Sequence, residues 1–415
     1  MKRPISLALV LMLVRIFGGP EPAHAQTYRL TDIGGPPGYS ITVGFDMNQS
    51  GQVTGSFCDY VPGRSKTICD TDVSRHAFLW DGEKLIDLGT LGGTYSVGEA
   101  VNNKGQVTGI SYVVSQVEHG FFWDKQGMVD IGVLSGASGS EGIGINEHGQ
   151  VLGDHAGLQP SNAFVWDKGK VTDLGTLGGS SSFGSAINAV GQVTGSSPTT
   201  GNAARDPFLW GKHEGMVDLG TLGGTDGVGL AVNLKGQVAG LSCVDAACSL
   251  THPFFWDKEH GMVDRGLPAG LSAAGVQMND HGEMAIFATN NTGPAVYHAI
   301  LSDGQNLIDL NTFGAANSIA YAIDNKGRVT GAFQTAADAE FHAFLWNGSQ
   351  LLDLNTLIDP ADPLFGLVTL TGGFRIADSG YILALGYNAA GYGRTYVLKE
   401  CGHNVPTGDP SSCKH

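Results

Sequence analysis

The sequence predicts an all-β fold, an eight-bladed β-propeller of four-stranded antiparallel blades in which an N-terminal strand completes the C-terminal blade. Three observations carry that expectation. The phrase Asp87-Leu88-Gly89-Thr90-Leu91-Gly92-Gly93 returns at Asp173 to Gly179 and at Asp218 to Gly224, in fixed cyclic order with an aliphatic-Asn-x-x-Gly-Gln-Val-x-Gly phrase and a His-Ala-Phe-Leu-Trp phrase. Aligned on the Asn of the second phrase, Asn48, Asn102, Asn146, Asn188, Asn233, Asn279, Asp324 and Ala377 give eight copies spaced 42 to 54 residues apart, the period that a four-stranded blade requires. The 63 glycines, in a chain with little sustained 3.6-residue periodicity, call for many short strands joined by tight turns.

At the start, Lys2 and Arg3 precede an apolar run from Ile5 to Val14, and Ala23-His24-Ala25 places small residues where a signal peptidase reads them. Residues 1–25 therefore read as a secretory signal. The run is about half the length that spans a hydrocarbon core, so no membrane span is expected, and no Cys follows to carry a lipid anchor. The protein is expected to be exported, to the periplasm or out of the cell. Residues 26–400 show no break in composition and read as one domain of eight repeats, with 401–415 as a tail. A formal charge of −16 leaves no surplus for the basic face that nucleic acid needs.

Element by element, the first segment is an orphan fourth strand, Tyr28 to Ile33. The second repeat serves as the worked case. Its strand a is Ser96 to Val101, ending in the turn Asn102-Asn103-Lys104-Gly105, where Asn caps backbone N–H groups and Gly takes positive φ. Strand b runs from Gln106 to Ser111, strand c from Gly120 to Trp123, and strand d from Met128 to Ile131 after the turn Asp124-Lys125-Gln126-Gly127. The last repeat has strands a (Thr369 to Ile376), b (Tyr381 to Gly386) and c (Arg394 to Lys399) but no strand d. The orphan at the start supplies what is missing at the end, which removes the open edges of an unclosed stack. An open β-solenoid has no need of complementary ends, and a β-trefoil is excluded by copy number.

His76-Ala77-Phe78-Leu79-Trp80 followed by Asp87-Leu88-Gly89-Thr90-Leu91-Gly92-Gly93, and His342-Ala343-Phe344-Leu345-Trp346 followed by Asp353-Leu354-Asn355-Thr356-Leu357, resemble the bacterial extracellular repeat family named HAF after its His-Ala-Phe signature. The resemblance covers essentially the whole mature chain. It implies an exported bacterial protein and supplies no reaction. Asn162, Asp206 and Ile300-Leu301-Ser302 depart from the pattern, so neither His nor Trp is required in every repeat.

Six cysteines in an exported chain imply three disulfides, with fifteen pairings open in principle. Locality selects Cys58 with Cys69 and Cys243 with Cys248, each closing a loop between strands b and c, and Cys401 with Cys413, pinning the tail. The spacing does not suit zinc.

Variable segments fall between strands b and c, at Cys58 to Arg75, Ser197 to Arg205, Ser242 to Thr251 and Gln334 to Glu340, whereas the Asn-x-x-Gly turns barely vary in length. One face thus carries the loops on which binding usually lives. His76, His119, His252, His298 and His342 recur at the entry to strand c on that side; strand c is third from the axis, too far for a shared ion, so these side chains read as caps that hydrogen-bond the adjacent loop. Strand a should line the channel, where Gly44, Gly98, Gly142, Gly184, Gly229 and Gly275 suit close backbone approach. Against them Asp46, Glu99, Glu141, Gln277, Tyr321 and Arg375 are the polar or bulky exceptions and the candidate ligand-binding residues. Closure makes Asp46 and Arg375 neighbours that can form a salt bridge. No Gly-x-Ser-x-Gly elbow, His-Glu-x-x-His, phosphate loop or EF-hand loop occurs. No cofactor is expected; Cys69-Asp70-Thr71-Asp72 and Asp359-Pro360-Ala361-Asp362 are acidic enough to touch calcium but read as solvated loops.

The function expected from these features is a monomeric, non-enzymatic binding module whose ligand is a carbohydrate or a cell-surface or extracellular protein. The alternatives are a polysaccharide-acting hydrolase or lyase using channel-facing carboxylates, and a structural component of the envelope or matrix. Convergence of Asp46, Glu99, Glu141 and Arg375 on one cavity favours the enzyme; their pairing off favours the binding module.

Overall fold

The computed structural model describes residues 26–35, 41–59, 74–133, 137–156, 161–290, 296–313, 315–334 and 340–401. The expected signal, the tail beyond Cys401, Cys69, Cys413 and much of the two loops Cys58–Arg75 and Gln334–Glu340 lie outside them. The described chain is all strand and turn apart from three short 3-10 segments, Thr200–Asn202, Leu310–Phe313 and Leu354–Leu357. Each of the first seven repeats forms four antiparallel strands paired in sequence order, and the last forms three. In the second they are Gly92–Val101, Val107–Val113, Glu118–Asp124 and Gly127–Asp130. Strand a starts earlier than expected because Gly92 already pairs with Val113. Among the described residues six sheets have four strands and one has eight. The eight-stranded sheet holds the first two repeats, which meet through a single parallel pair, Arg75 with Tyr95.

Tyr28–Asp32 pairs antiparallel with Gly393–Glu400, Tyr28 opposite Glu400 and Asp32 opposite Tyr396, and so becomes the fourth strand of the last sheet. That sheet packs on the first repeat: Leu383 and Val397 join Val53, Phe57, Phe78 and Trp80 in one buried cluster. Thr395 Oγ1 accepts from the Gly44 N–H at 2.8 Å and donates to the Thr42 carbonyl at 2.9 Å. Sheets stacked in sequence, with the last seated on the first, make a β-propeller. The outer edge of the closing strand is held as well. The Leu30 N–H donates to Asp362 Oδ2 at 2.8 Å, the Asp359 N–H to the Tyr28 carbonyl at 2.9 Å, and Arg29 pairs with Asp359 at 3.4 Å. The Asp359-to-Asp362 loop therefore corrects its reading as a solvated, calcium-touching stretch. Asp362 is buried, and both its oxygens are occupied by backbone N–H groups, those of Leu30 and Leu364.

The glycine pattern has a more specific cause than crowding near the axis. Strand a carries a bulge three residues before the Asn position, at Phe45, Glu99, Ile143, Ser185, Leu230, Tyr321 and Phe374. The bulge drives the strand a carbonyl toward the Gly of Gln-Val-x-Gly: a Cβ on Gly109 would meet the Val97 oxygen at 1.9 Å, and one on Gly331 the Ile319 oxygen at 1.9 Å. Strand a glycines face the preceding sheet, where a Cβ on Gly98 or Gly142 would meet the hydroxyl of Thr54 or Thr108 at 2.1 or 2.2 Å. Those hydroxyls donate to the carbonyls of Phe78 and Phe121 in strand c. The sixth repeat departs from the rule, its bulge falling at Ala274 and its Gly275 meeting only Phe287 at van der Waals distance.

The Asn of each turn works twice. Asn102 Oδ1 accepts from the N–H groups of Lys104 and Gln106, fixing its own turn, while Nδ2 donates to Gln106 Oε1 at 2.8 Å and to the Asn146 carbonyl of the next sheet at 2.9 Å. Asn48, Asn146, Asn188 and Asn279 make the same step to Asn102, Asn188, Asn233 and Asp324. Asp324 has no amide to donate, and Arg328 replaces it. Its Nε donates to Asp324 Oδ2 at 2.7 Å, Nη2 reaches the Ala377 carbonyl at 3.3 Å, and Nη1 meets Glu400 at 3.2 Å. From the last sheet, the Asp378 N–H donates to Gln49 Oε1 at 2.9 Å and the Ser379 hydroxyl to the Gln49 carbonyl at 2.6 Å, which returns the chain of bonds to the first. Because the Asp324 side chain is fully buried, Arg328→Leu should cost about 3–5 kcal/mol by leaving it uncompensated. The double variant Asp324→Asn/Arg328→Gln, which restores the Asn-and-Gln pair of the other repeats, should recover most of that loss in a denaturant melt.

Candidate functional site

The two faces of the propeller are built differently. On the tight-turn face the Asn side chains and the backbone are consumed by the bonds just described. On the opposite face, where strand c begins, each recurring His bonds an Asp of strand d of its own repeat. His76 meets Asp87 at 3.0 Å, His119 Asp130 at 2.9 Å, His252 Asp264 at 2.9 Å, and His298 and His342 meet Asp309 and Asp353 at 2.8 Å. The same Asp accepts a backbone N–H two residues on, as Asp87 does from Gly89 at 2.8 Å. This revises the expected role: the His ties strand c to strand d rather than to the adjacent loop. The hydrogen bond to Asp87 holds the His76 imidazole above its usual pKa, against the pull of burial. Where the phrase departs, Asn162 keeps the contact, donating to Asp173 at 3.1 Å, while at the equivalent position burial, with the charge of Asp218 adding, pushes the Asp206 carboxyl up to about 6.

A cluster of polar groups draws on strands a, b and c of the first three repeats. Arg75 Nε donates to Ser56 Oγ at 2.8 Å and Nη1 to the Tyr95 hydroxyl at 3.3 Å, and the guanidinium lies over the rings of Phe45 and Tyr95. Tyr95 packs on Tyr112 with ring centroids 4.9 Å apart. Glu99 is the bulged residue of its strand; burial raises its pKa, the Asp46 charge adds, and Arg75 pulls the other way. Burial also raises Glu141, helped by the charges of Glu118 and Glu99, and burial alone raises Glu118. Asp154 lies opposite Glu141 in register and is only 8% exposed. Burial pushes it up to about 7, with Glu141 adding and the Gly184 N–H, donated at 3.0 Å, opposing. Burial thus raises the pKa of all four carboxyls.

The six sequence candidates divide. Glu99 and Glu141 belong to this cluster. Asp46 and Arg375 pair across the closure at 2.9 Å, as expected, and Asp46 also accepts the Val101 N–H at 3.0 Å. Tyr321 instead stacks on Phe374 at 4.6 Å, and Gln277 stands opposite Ala285 within its own sheet. Arg75, Tyr95, Tyr112, Glu118 and Asp154 escaped sequence reasoning. Asp154 was the legible one, since it replaces a small residue that repeats 1 and 4 carry in strand b as Ser56 and Ser196.

Cys243 and Cys248 form the expected disulfide, Cα atoms 4.9 Å apart, in the b–c loop of the fifth repeat. Cys58 and Cys401 are disulfide-bonded too, their expected partners lying outside the described residues. Among the described residues no group of three or more His, Cys, Asp or Glu is arranged to hold a metal ion, and no helix is long and apolar enough to cross a membrane.

No family model matches the chain, and no curated protein matches it. Solved structures do. A prolyl endopeptidase structure is 11% identical with a TM-score of 0.52 over 87% of this chain and 55% of its own. The β-propeller domain of the Trilobed protease from Pyrococcus furiosus is 10% identical, with a TM-score of 0.46 over 94% of this chain and 99% of its own. The Pyrococcus horikoshii acylaminoacyl peptidase is 11% identical, with a TM-score of 0.48 over 84% and 58%. This chain thus spans a little over half the length of the two whole peptidases, and the likeness at 0.52 is one of fold alone.

The carboxyl cluster makes a prediction about pH. An Asp whose folded pKa exceeds its unfolded value stabilises the protein fully below the unfolded pKa, and that contribution is lost as pH rises through the folded pKa. For Asp154 the window runs from roughly pH 4 to about 7. Asp154→Asn keeps an acceptor for the Gly184 N–H and should melt like the parent at pH 4 but several degrees higher at pH 8.5. An equal difference at both pH values would contradict a buried, proton-holding carboxyl.

Proposed function

We propose that the protein is an exported eight-bladed propeller of the HAF repeat kind that binds saccharide on its loop-bearing face without chemical turnover. The blade count rests on the eight Asn-turn repeats and on dividing the eight-stranded sheet at its single Arg75–Tyr95 pair. Export is supported by the disulfide and by the basic-then-apolar start of the chain.

The observation that carries the binding reading is the cluster of Glu99, Glu118, Glu141 and Asp154 beside Arg75 and the Tyr95–Tyr112 pair. Carboxylates offer acceptors to adjacent sugar hydroxyls, and paired tyrosines offer an apolar face with polar tips. Arg375 is engaged with Asp46, which also accepts the Val101 N–H. A second reading, glycoside hydrolysis, draws on Asp154, since a carboxyl titrating near 7 has the pKa of a general acid.

A glycan-array screen of the chain, with Glu99→Gln and Glu141→Gln beside it and products followed by mass spectrometry, separates the readings. Binding that falls at least tenfold in both variants, with intact glycan recovered, is the expected result. Cleavage lost in Asp154→Asn supports the hydrolase instead, and binding untouched by all three variants refutes the site.

A further inference from the structure

At the entry to strand c, five repeats set a His against the Asp of strand d, and the third repeat sets Asn162 there, so a hydrogen-bond donor meets a carboxylate each time. The fourth repeat carries Asp206 instead. Register fixes its place: Asp206 stands two residues before Phe208, which pairs with Asp218, just as His76 stands two residues before Phe78, which pairs with Asp87. Two carboxylates therefore face each other where His76 and Asp87 bond at 3.0 Å in the first repeat.

Neither carboxylate can give the other what it lacks. Asp206 is 9% exposed, and its Oδ1 is sealed from solvent with no hydrogen-bond partner. Asp218 lies exposed at the rim and accepts the Gly220 N–H on Oδ1 at 2.8 Å. The charges that bear on Asp206 are those of Asp218 and a third acid, Asp226. The adjacent cation, Arg205, is engaged with Asp226 at 2.7 Å. A buried carboxylate oxygen without a donor is costly, and a like charge beside it adds repulsion. What the position lacks is a positive charge.

We propose that Asp206 and Asp218 hold a calcium ion, which takes the place of the His in fastening strand c to strand d of the fourth repeat. Carboxylate oxygens select hard cations over transition metals. Calcium fits better than magnesium, because magnesium demands near-ideal octahedral geometry whereas calcium accepts an irregular oxygen set completed by water. A pair of carboxylates, rather than a cage of many, makes the site a weak one, with a Kd on the order of 0.1–1 mM, the range of extracellular modules. The exposed Asp218 gives the ion its entry path. Because the loop of residues 199–205 runs directly into Asp206, the ion also braces one of the variable b–c loops.

Equilibrium dialysis of the full chain against radioactive calcium, at neutral pH and physiological ionic strength, tests the site. The parent should bind one more calcium per chain than Asp206→His, which restores the His–Asp tie of the other repeats, and than Asp206→Asn, which copies the third. Thermal melts give the second readout. Between calcium-free buffer and about 10 mM calcium the parent should rise by about 2 °C, and by much less with equal magnesium. Both variants should melt at least as high as the parent without calcium and gain little from it. Equal calcium uptake by the parent and both variants overturns the proposal, as does a parent melt that magnesium or potassium chloride raises as far as calcium does.

Discussion

The bond on which the structure depends is the step from one turn to the next: an Asn carboxamide that closes its own turn with Oδ1 and holds the neighbouring sheet with Nδ2. Each such buried bond contributes about 0.5–1.5 kcal/mol net, but its directional value is larger, because it fixes the distance and rotation between consecutive sheets. The seventh repeat shows that the contact matters more than the residue. Asp324 abolishes the donor and Arg328 restores it from four residues away, reaching the same carbonyl position on the next sheet.

That constraint divides labour between the faces. Turns bound to their neighbours cannot vary in length without breaking the chain of bonds, so variation is left to the b–c side. There the recurring contact is the His–Asp tie within one repeat, which tolerates Asn162 in place of His because it joins only strands c and d of the same sheet. Loops freed from inter-sheet duty can carry insertions and a disulfide.

The repeat phrases made the strands, their order and the N-terminal closure legible, because each phrase marks a strand end with turn chemistry. The bulge was not legible, since it belongs to a pairing of two strands; only the glycines at Gly98 and Gly109 betray it, and a glycine by itself has several causes. The salt bridge of Asp46 with Arg375 followed from closure alone. The cluster around Glu99 and Glu141 needed Arg75, Glu118 and Asp154, which come from different strands and sheets, and no linear spacing connects them. Asp359 and Asp362 looked like solvent-facing acids because their partners, Arg29 and Leu30, lie at the far end of the chain.

The central claim is that the ring closes through its first strand, and that closure supports both faces. Thermal unfolding of a chain lacking residues 26–34, with and without a synthetic peptide of that sequence, tests it most directly. Closure predicts a melting temperature lower by well over 5 °C and largely restored by the peptide, since the deletion removes the fourth strand of the last sheet and bares its edge. A truncated chain that melts within a degree of the parent would contradict it.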